Sequence, residues 1–202
     1  LAGLSSDEEA DASVLSSFKK RIPWLVVLLF LGMCVSLLTS RFENVVSNLP
    51  IIVFFQSLIL GMAGNSGTQS LAVTIRLLSA SEITGKEIRK TIFKEVRVGF
   101  MNGLLLSVIS FLLVFFFLFI SKSNIGGEPF SVIPGLKVSG IVSGSLLISM
   151  TISSVIGSLI PIIFKKIHID PAVASGPFIT TINDVLAVLI YYGLASLAFL
   201  LI

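Results

Sequence analysis

Charge is scarce in this chain, and so are the side chains that usually carry chemistry. Of 202 residues only 12% are Asp, Glu, Lys or Arg, and there is one His, one Cys and one Trp. A single cysteine forms no intrachain disulfide, and Cys34 lies in an apolar run where a small packing residue is expected. Without a cluster of His and Cys, a zinc or copper centre has too few ligands. The pattern G-x-x-x-x-G-K-[ST] is absent, which argues against ATP-driven pumping by this chain. An intramembrane aspartyl protease needs two carboxylates sharing the work, and only Asp184 lies inside a long apolar segment. His168 has no nucleophile pattern around it and reads as a solvated loop histidine. The chain is therefore not expected to be an enzyme.

What is abundant is apolar surface. The hydrophobic share is 54% and the mean hydropathy is +1.04, far above an ordinary soluble domain. A hydrocarbon core about 30 Å thick needs roughly 20 apolar residues per helical span. Five stretches qualify: residues 22–40, 50–78, 98–121, 138–164 and 171–202. A transmembrane barrel would need alternating segments of about 10 residues, and runs such as "GLLLSVISFLLVFFFLFI" do not alternate. The expected fold is an all-α integral membrane protein with five transmembrane helices over residues 21–202.

Basic residues orient such a protein. With the N-terminus cytoplasmic, the inner flanks hold Lys19, Lys20, Arg21, Arg76, Lys86, Arg89, Lys90, Lys94, Arg97, Lys165 and Lys166, against Arg41, Lys122 and Lys137 outside. The C-terminus then faces out. The net charge of +3 calls for anionic lipid headgroups and no nucleic acid. Residues 1–20 carry an acidic cluster and then a basic end, the reverse of a secretory signal. Because the first residue is Leu1 and not Met, they read as the end of a cytoplasmic linker in a fragment or processed product.

Two places depart from the lipid-compatible pattern. In span 2, "GMAGNSGTQS" is almost entirely small or polar and offers little to lipid, so it should face protein or water. Gly61, Gly64, Thr68 and Ala72 fall at helical spacing on one face, with Asn65 and Gln69 beside them. Span 5 is entered through "HIDPAVASGPFITTINDV". Asp170 and Pro171 there resemble an N-cap and a first helical position. "SGP" at 175–177 interrupts the pattern, as in discontinuous helices that line ion or substrate sites.

Counting from the cytoplasmic loop, Asp184 is about 14 residues and roughly 20 Å along the helix. A charge there costs about 2.5–3.5 kcal/mol on the lenient insertion scale, so it should face water, a cation or a partner group. No basic residue lies at comparable depth. A carboxylate among hydroxyls, amides and carbonyls suits a hard cation. One carboxylate per chain, doubled by a two-fold axis, suits a largely hydrated magnesium ion, which gives up its waters reluctantly.

These motifs resemble the signature regions of the MgtE-type magnesium channels and transporters. "GMAGNSGTQS" and "DPAVASGPFITTINDV" match in order, and the "PW" opening span 1 and "KEVRVGFMNG" entering span 3 agree, so the resemblance covers residues 20–202. It implies a multi-pass plasma-membrane homodimer whose pore is lined by spans 2 and 5, with Asp184 as the metal residue and hydrated Mg2+ as the transported ion. Gly61, Gly64, Asn65, Thr68, Gln69, Ala72, Ser175, Gly176, Thr180 and Thr181 are the expected lining and ion-hydration contacts. Thr68, Ala72 and Gly176 stand where the family often has asparagine, threonine and sometimes asparagine. Family members usually carry cytoplasmic magnesium-sensing domains joined to span 1 by a plug helix, whose end residues 1–20 would be. The expected function is passive divalent-cation transport; a cation-coupled exchanger using the same aspartate is the alternative.

Overall fold

The structure, a computed structural model, describes residues 13–80, 84–171 and 176–200. Six α-helices are described: α1 (Val14–Ser40), α2 (Glu43–Asn48), α3 (Val53–Ala80), α4 (Gly85–Ser121), α5 (Val132–Lys166) and α6 (Gly176–Leu200), with a 3-10 turn at Pro50–Ile52 leading into α3. No strand is present among the described residues. All the helices except α2 are long and apolar enough to cross a membrane.

Local chemistry sets the ends. Thr84 and Glu87 form a capping box that satisfies the first amides of α4. Lys122 closes that helix in the left-handed region, and Gly126 and Gly127, both with positive φ, turn the chain back into α5. At the cytoplasmic end assigned from the sequence, Lys165 Nζ donates to the carbonyl of Leu78 at 2.7 Å. A cation on the last turn of α3 complements its negative dipole end.

The packing is built on small residues. Helices in lipid gain little from hydrophobic burial against one another, so close backbone approach and hydroxyl bonds take over. The buried stripe of α4 is Glu95, Gly99, Gly103, Ser107 and Ser110, then Val114 and Leu118. A Cβ on Gly103 would lie 3.1 Å from the Leu147 carbonyl of α5. The opposite face carries Phe116, Phe117 and Phe119, exposed as a lipid-facing side should be. Helix α5 packs on α3, α4 and α6, whereas α1 has no buried residue and rests against α6. Between the helix ends near the 3-10 turn, Tyr191 donates to the Ile52 carbonyl at 2.7 Å and Tyr192 to Gln56 Oε1 at 2.6 Å.

A polar seam joins α3 to α4 and α5. Ser66 bonds Ser154 at 2.7 Å, Ser70 donates to Glu95 at 2.7 Å, and Thr74 donates to Ser158 at 3.0 Å. Successive i+4 positions of α3 thus face protein, which leaves the adjoining face for the cleft described next.

Candidate functional site

Helix α3 comes close to α6 at Gly64, where a side chain would press on Thr180. A Cβ on Gly64 would stand 3.2 Å from Thr180 Cγ2. Beside this contact a cleft of about 460 Å³ runs between the helices. Of the sequence-derived candidates, Gly61, Gly64, Asn65, Thr180 and Asp184 line it together. Gln56 and Ser57 of α3 join them, with Val53 and Leu60 as the apolar rim. Gly61, Asn65 and Ser57 are exposed, so the cleft opens onto the surface of the chain.

Among the described residues, Asp184 is the single charged one in that lining, and no Lys, Arg or His faces it there. Among the described residues, none hydrogen-bonds its carboxylate. It is half-buried. A carboxylate without a cationic or donor partner, in a cleft whose other walls are neutral, is free to hold a cation or the waters around one.

The neighbouring hydroxyls are arranged as acceptors. Thr180 and Thr181 both donate to the carbonyl of Pro177, at 2.9 and 2.8 Å, and Thr68 donates to the carbonyl of Asn65 at 3.0 Å. With the hydroxyl proton committed to the backbone, each oxygen retains lone pairs for an outside donor. Waters carried by a cation are such donors.

The other candidates lie apart from the cleft. Thr68 sits a turn beyond Asn65, with its methyl 3.8 Å from where a Gly176 Cβ would be. Gln69 and Ala72 are exposed farther along α3, and Thr181 is half-buried beside Thr180. Ser175 lies outside the described residues. The described part of this last helix begins at Gly176, and Asp184 lies about 12 Å along it at about 1.5 Å per residue.

Gln56 and Ser57 were missed because "IIVFFQSLIL" reads as a lipid-facing run until its rotational phase is known. The only signal was their position, at helical spacing before Gly61 and Gly64. A group of three or more His, Cys, Asp or Glu side chains able to hold a metal does not occur among the described residues. Neutral oxygens and water would have to complete any shell around Asp184.

Comparison with known proteins identifies relatives of the chain. Residues 56–194 match the family profile MgtE, described as a divalent cation transporter. The magnesium transporter MgtE of Enterococcus faecalis is 39% identical over 197 residues, covering 98% of this chain and 40% of that protein. Its Bacillus subtilis namesake is 37% identical over 96% of this chain and 40% of its own length, and that of Thermus thermophilus 30% over 93% and 38%. The chain thus spans about 40% of the length of these relatives. With the profile match and five helices of membrane-crossing length, the chain belongs to the MgtE family of divalent cation transporters and is a multi-pass membrane protein.

Proposed function

We propose that this chain conducts divalent cations, magnesium foremost, passively across the plasma membrane, with Asp184 as the ion-holding residue. The observation that carries the reading is the isolated Asp184 carboxylate in an open cleft whose other walls are neutral. A hard, strongly hydrated ion fits a site with one carboxylate and several acceptor oxygens, since magnesium keeps most of its waters and is usually bound through one or two carboxylates. All three relatives bear the name magnesium transporter.

A second copy of the chain would close the cleft. Two clefts facing across a two-fold axis make a path walled by α3 and α6 of both protomers, with two Asp184 carboxylates opposite each other. Gly61, Gly64, Asn65, Thr68 and Thr180 then line the path, with Gln69, Ala72, Gly176 and Thr181 toward its cytoplasmic mouth. With the N-terminus inside and the C-terminus outside, as the basic residues suggest, a potential of 100 mV favours entry of a doubly charged ion by about 4.6 kcal/mol.

The test is magnesium entry into proteoliposomes at an imposed potential, read by a trapped dye, for wild type and Asp184→Ala. Flux in wild type that collapses in the variant, with both proteins dimeric, is the expected result. Equal flux would make Asp184 structural. Flux that requires an added counter-ion gradient would favour exchange over passive conduction.

A further inference from the structure

Immediately before Asp184 on α6 stands Asn183, which is fully buried. Among the described residues, neither its Nδ2 nor its Oδ1 has a hydrogen-bond partner. Buried amides are normally paired because an unmade bond forfeits the hydration the group had in water. An unpaired one is retained where its shape or placement serves something else.

Its surroundings say what that is. On α3, a Cβ at Gly67 would run into the Asn183 amide nitrogen, and would lie 3.2 Å from both Asn183 Cγ and the Ser153 carbonyl. On α5, a Cβ at Gly157 would run into the Gly67 carbonyl. Three helices therefore meet at one level with no spare volume: α3 through Gly67, α5 through Gly157 and Ser153, and α6 through the Asn183 side chain. This level adjoins the cleft. Gly64 is one turn from Gly67 and touches Thr180, while Asp184 follows Asn183 directly.

We propose that Asn183 is a positioning residue for the ion path. Its planar amide is the spacer between α6 and the Gly67 backbone, and it sets how far Asp184 stands from the Gly64 and Asn65 wall. Gly67 is glycine because the amide occupies the volume a methyl would need. This inference rests on the transport reading above, since a spacing matters to the ion only if the ion passes there.

A double-mutant cycle tests it, read both by thermal unfolding in detergent and by magnesium flux in proteoliposomes. Gly67→Ala should lower the unfolding temperature and cut maximal flux about tenfold, the scale of an overpacked contact. Asn183→Ala, which removes bulk and so folds more safely, should raise the half-saturating magnesium concentration about threefold, a loosened site worth under one tenfold step, with maximal flux nearly kept. Combining the two should restore most of the unfolding temperature and flux, because the new methyl takes the place of the lost amide and only the 3.2 Å approach to the Ser153 carbonyl is left. Gly157→Ala, blocked by backbone instead of by the amide, should not be restored by Asn183→Ala.

If Asn183→Ala fails to restore the unfolding temperature of Gly67→Ala, the spacer does not exist. If it restores unfolding while Asn183→Ala alone leaves half-saturation unchanged, the spacer does not bear on the path, and the inference falls. Equal flux in wild type and Asp184→Ala would instead refute the transport reading, with the unfolding arm of the cycle still deciding whether the amide is the spacer.

Discussion

Gly99 and Gly140 are both helical glycines, one on α4 and one on α5, and replacing each by alanine should have opposite effects. At Gly99 the new Cβ would lie 2.5 Å from Ser154 Oγ, 2.6 Å from Ser154 Cβ and 3.3 Å from the Met150 carbonyl. Carbon atoms rest at about 3.5–4.0 Å, so α4 and α5 would have to separate by about 1 Å. Ser154 cannot swing aside without breaking its 2.7 Å bond to Ser66. Overpacking costs about 1–3 kcal/mol and an interhelical bond about 0.6 kcal/mol, offset by about 1 kcal/mol of helix propensity. The net loss is about 0.6–2.6 kcal/mol, or about 1–10 °C in unfolding temperature for a chain of this length. At Gly140 nothing among the described residues lies within 4 Å of the added Cβ, so propensity acts alone and raises the temperature by about 2–4 °C. Ser154→Ala should not rescue Gly99→Ala, because the Cβ that collides remains, whereas Ser154→Gly should recover part of the loss. The assay is thermal unfolding in a single detergent, followed by size-exclusion profile. Equal shifts for Gly99→Ala and Gly140→Ala would refute the close approach of α4 and α5.

The remaining expectations concern single contacts. Thr84→Ala removes the side-chain acceptor of the capping box while the Thr84 backbone N–H still reaches Glu87, costing about 1 kcal/mol, and should speed hydrogen exchange at the Glu87 amide, which bonds the Thr84 hydroxyl oxygen. Tyr191→Phe leaves the buried Ile52 carbonyl without its donor and should cost about 1–3 kcal/mol, read as a lower unfolding temperature with the oligomeric state unchanged. Lys165→Met frees the end of α3 and should cost about 0.5–1.5 kcal/mol. Lys165→Gln, which keeps a donor, should recover much of that by the same measurement.

The parts of this molecule visible in the sequence are those that contradict a lipid environment. Five apolar runs set five helices, and one carboxylate within them draws the eye to Asp184, as a run of glycine, serine and asparagine does to α3. The rotational phase of each helix was harder to see. Glu95 sits in "KEIRKTIFKEVR", which reads as a charged cytoplasmic helix, yet it is buried against Ser70. The clue was a period: stepping back by four from Ser107 through Gly103 and Gly99 arrives at Glu95. Gln56 and Ser57 depend in the same way on which side of α3 meets α6. The buried amide of Asn183 could not be foreseen, because "TTIND" presents it as one polar residue among several and only the contact with Gly67 distinguishes it from Asp184.

The seam along α3 also has a meaning in time. Ser66 finds Ser154 only 88 residues later in the chain, and Thr74 finds Ser158 after 84. At about 5–20 residues per second of synthesis, α3 waits roughly 4–18 seconds before those partners emerge. Its apolar window has a mean hydropathy of 1.3, the lowest among the five, so lipid holds it least firmly during that wait. Secure insertion of the second span is therefore an event of late translation, completed when the fourth span arrives, and a ribosome stalled before residue 154 leaves Ser70 with Glu95 but Ser66 and Thr74 without their α5 partners.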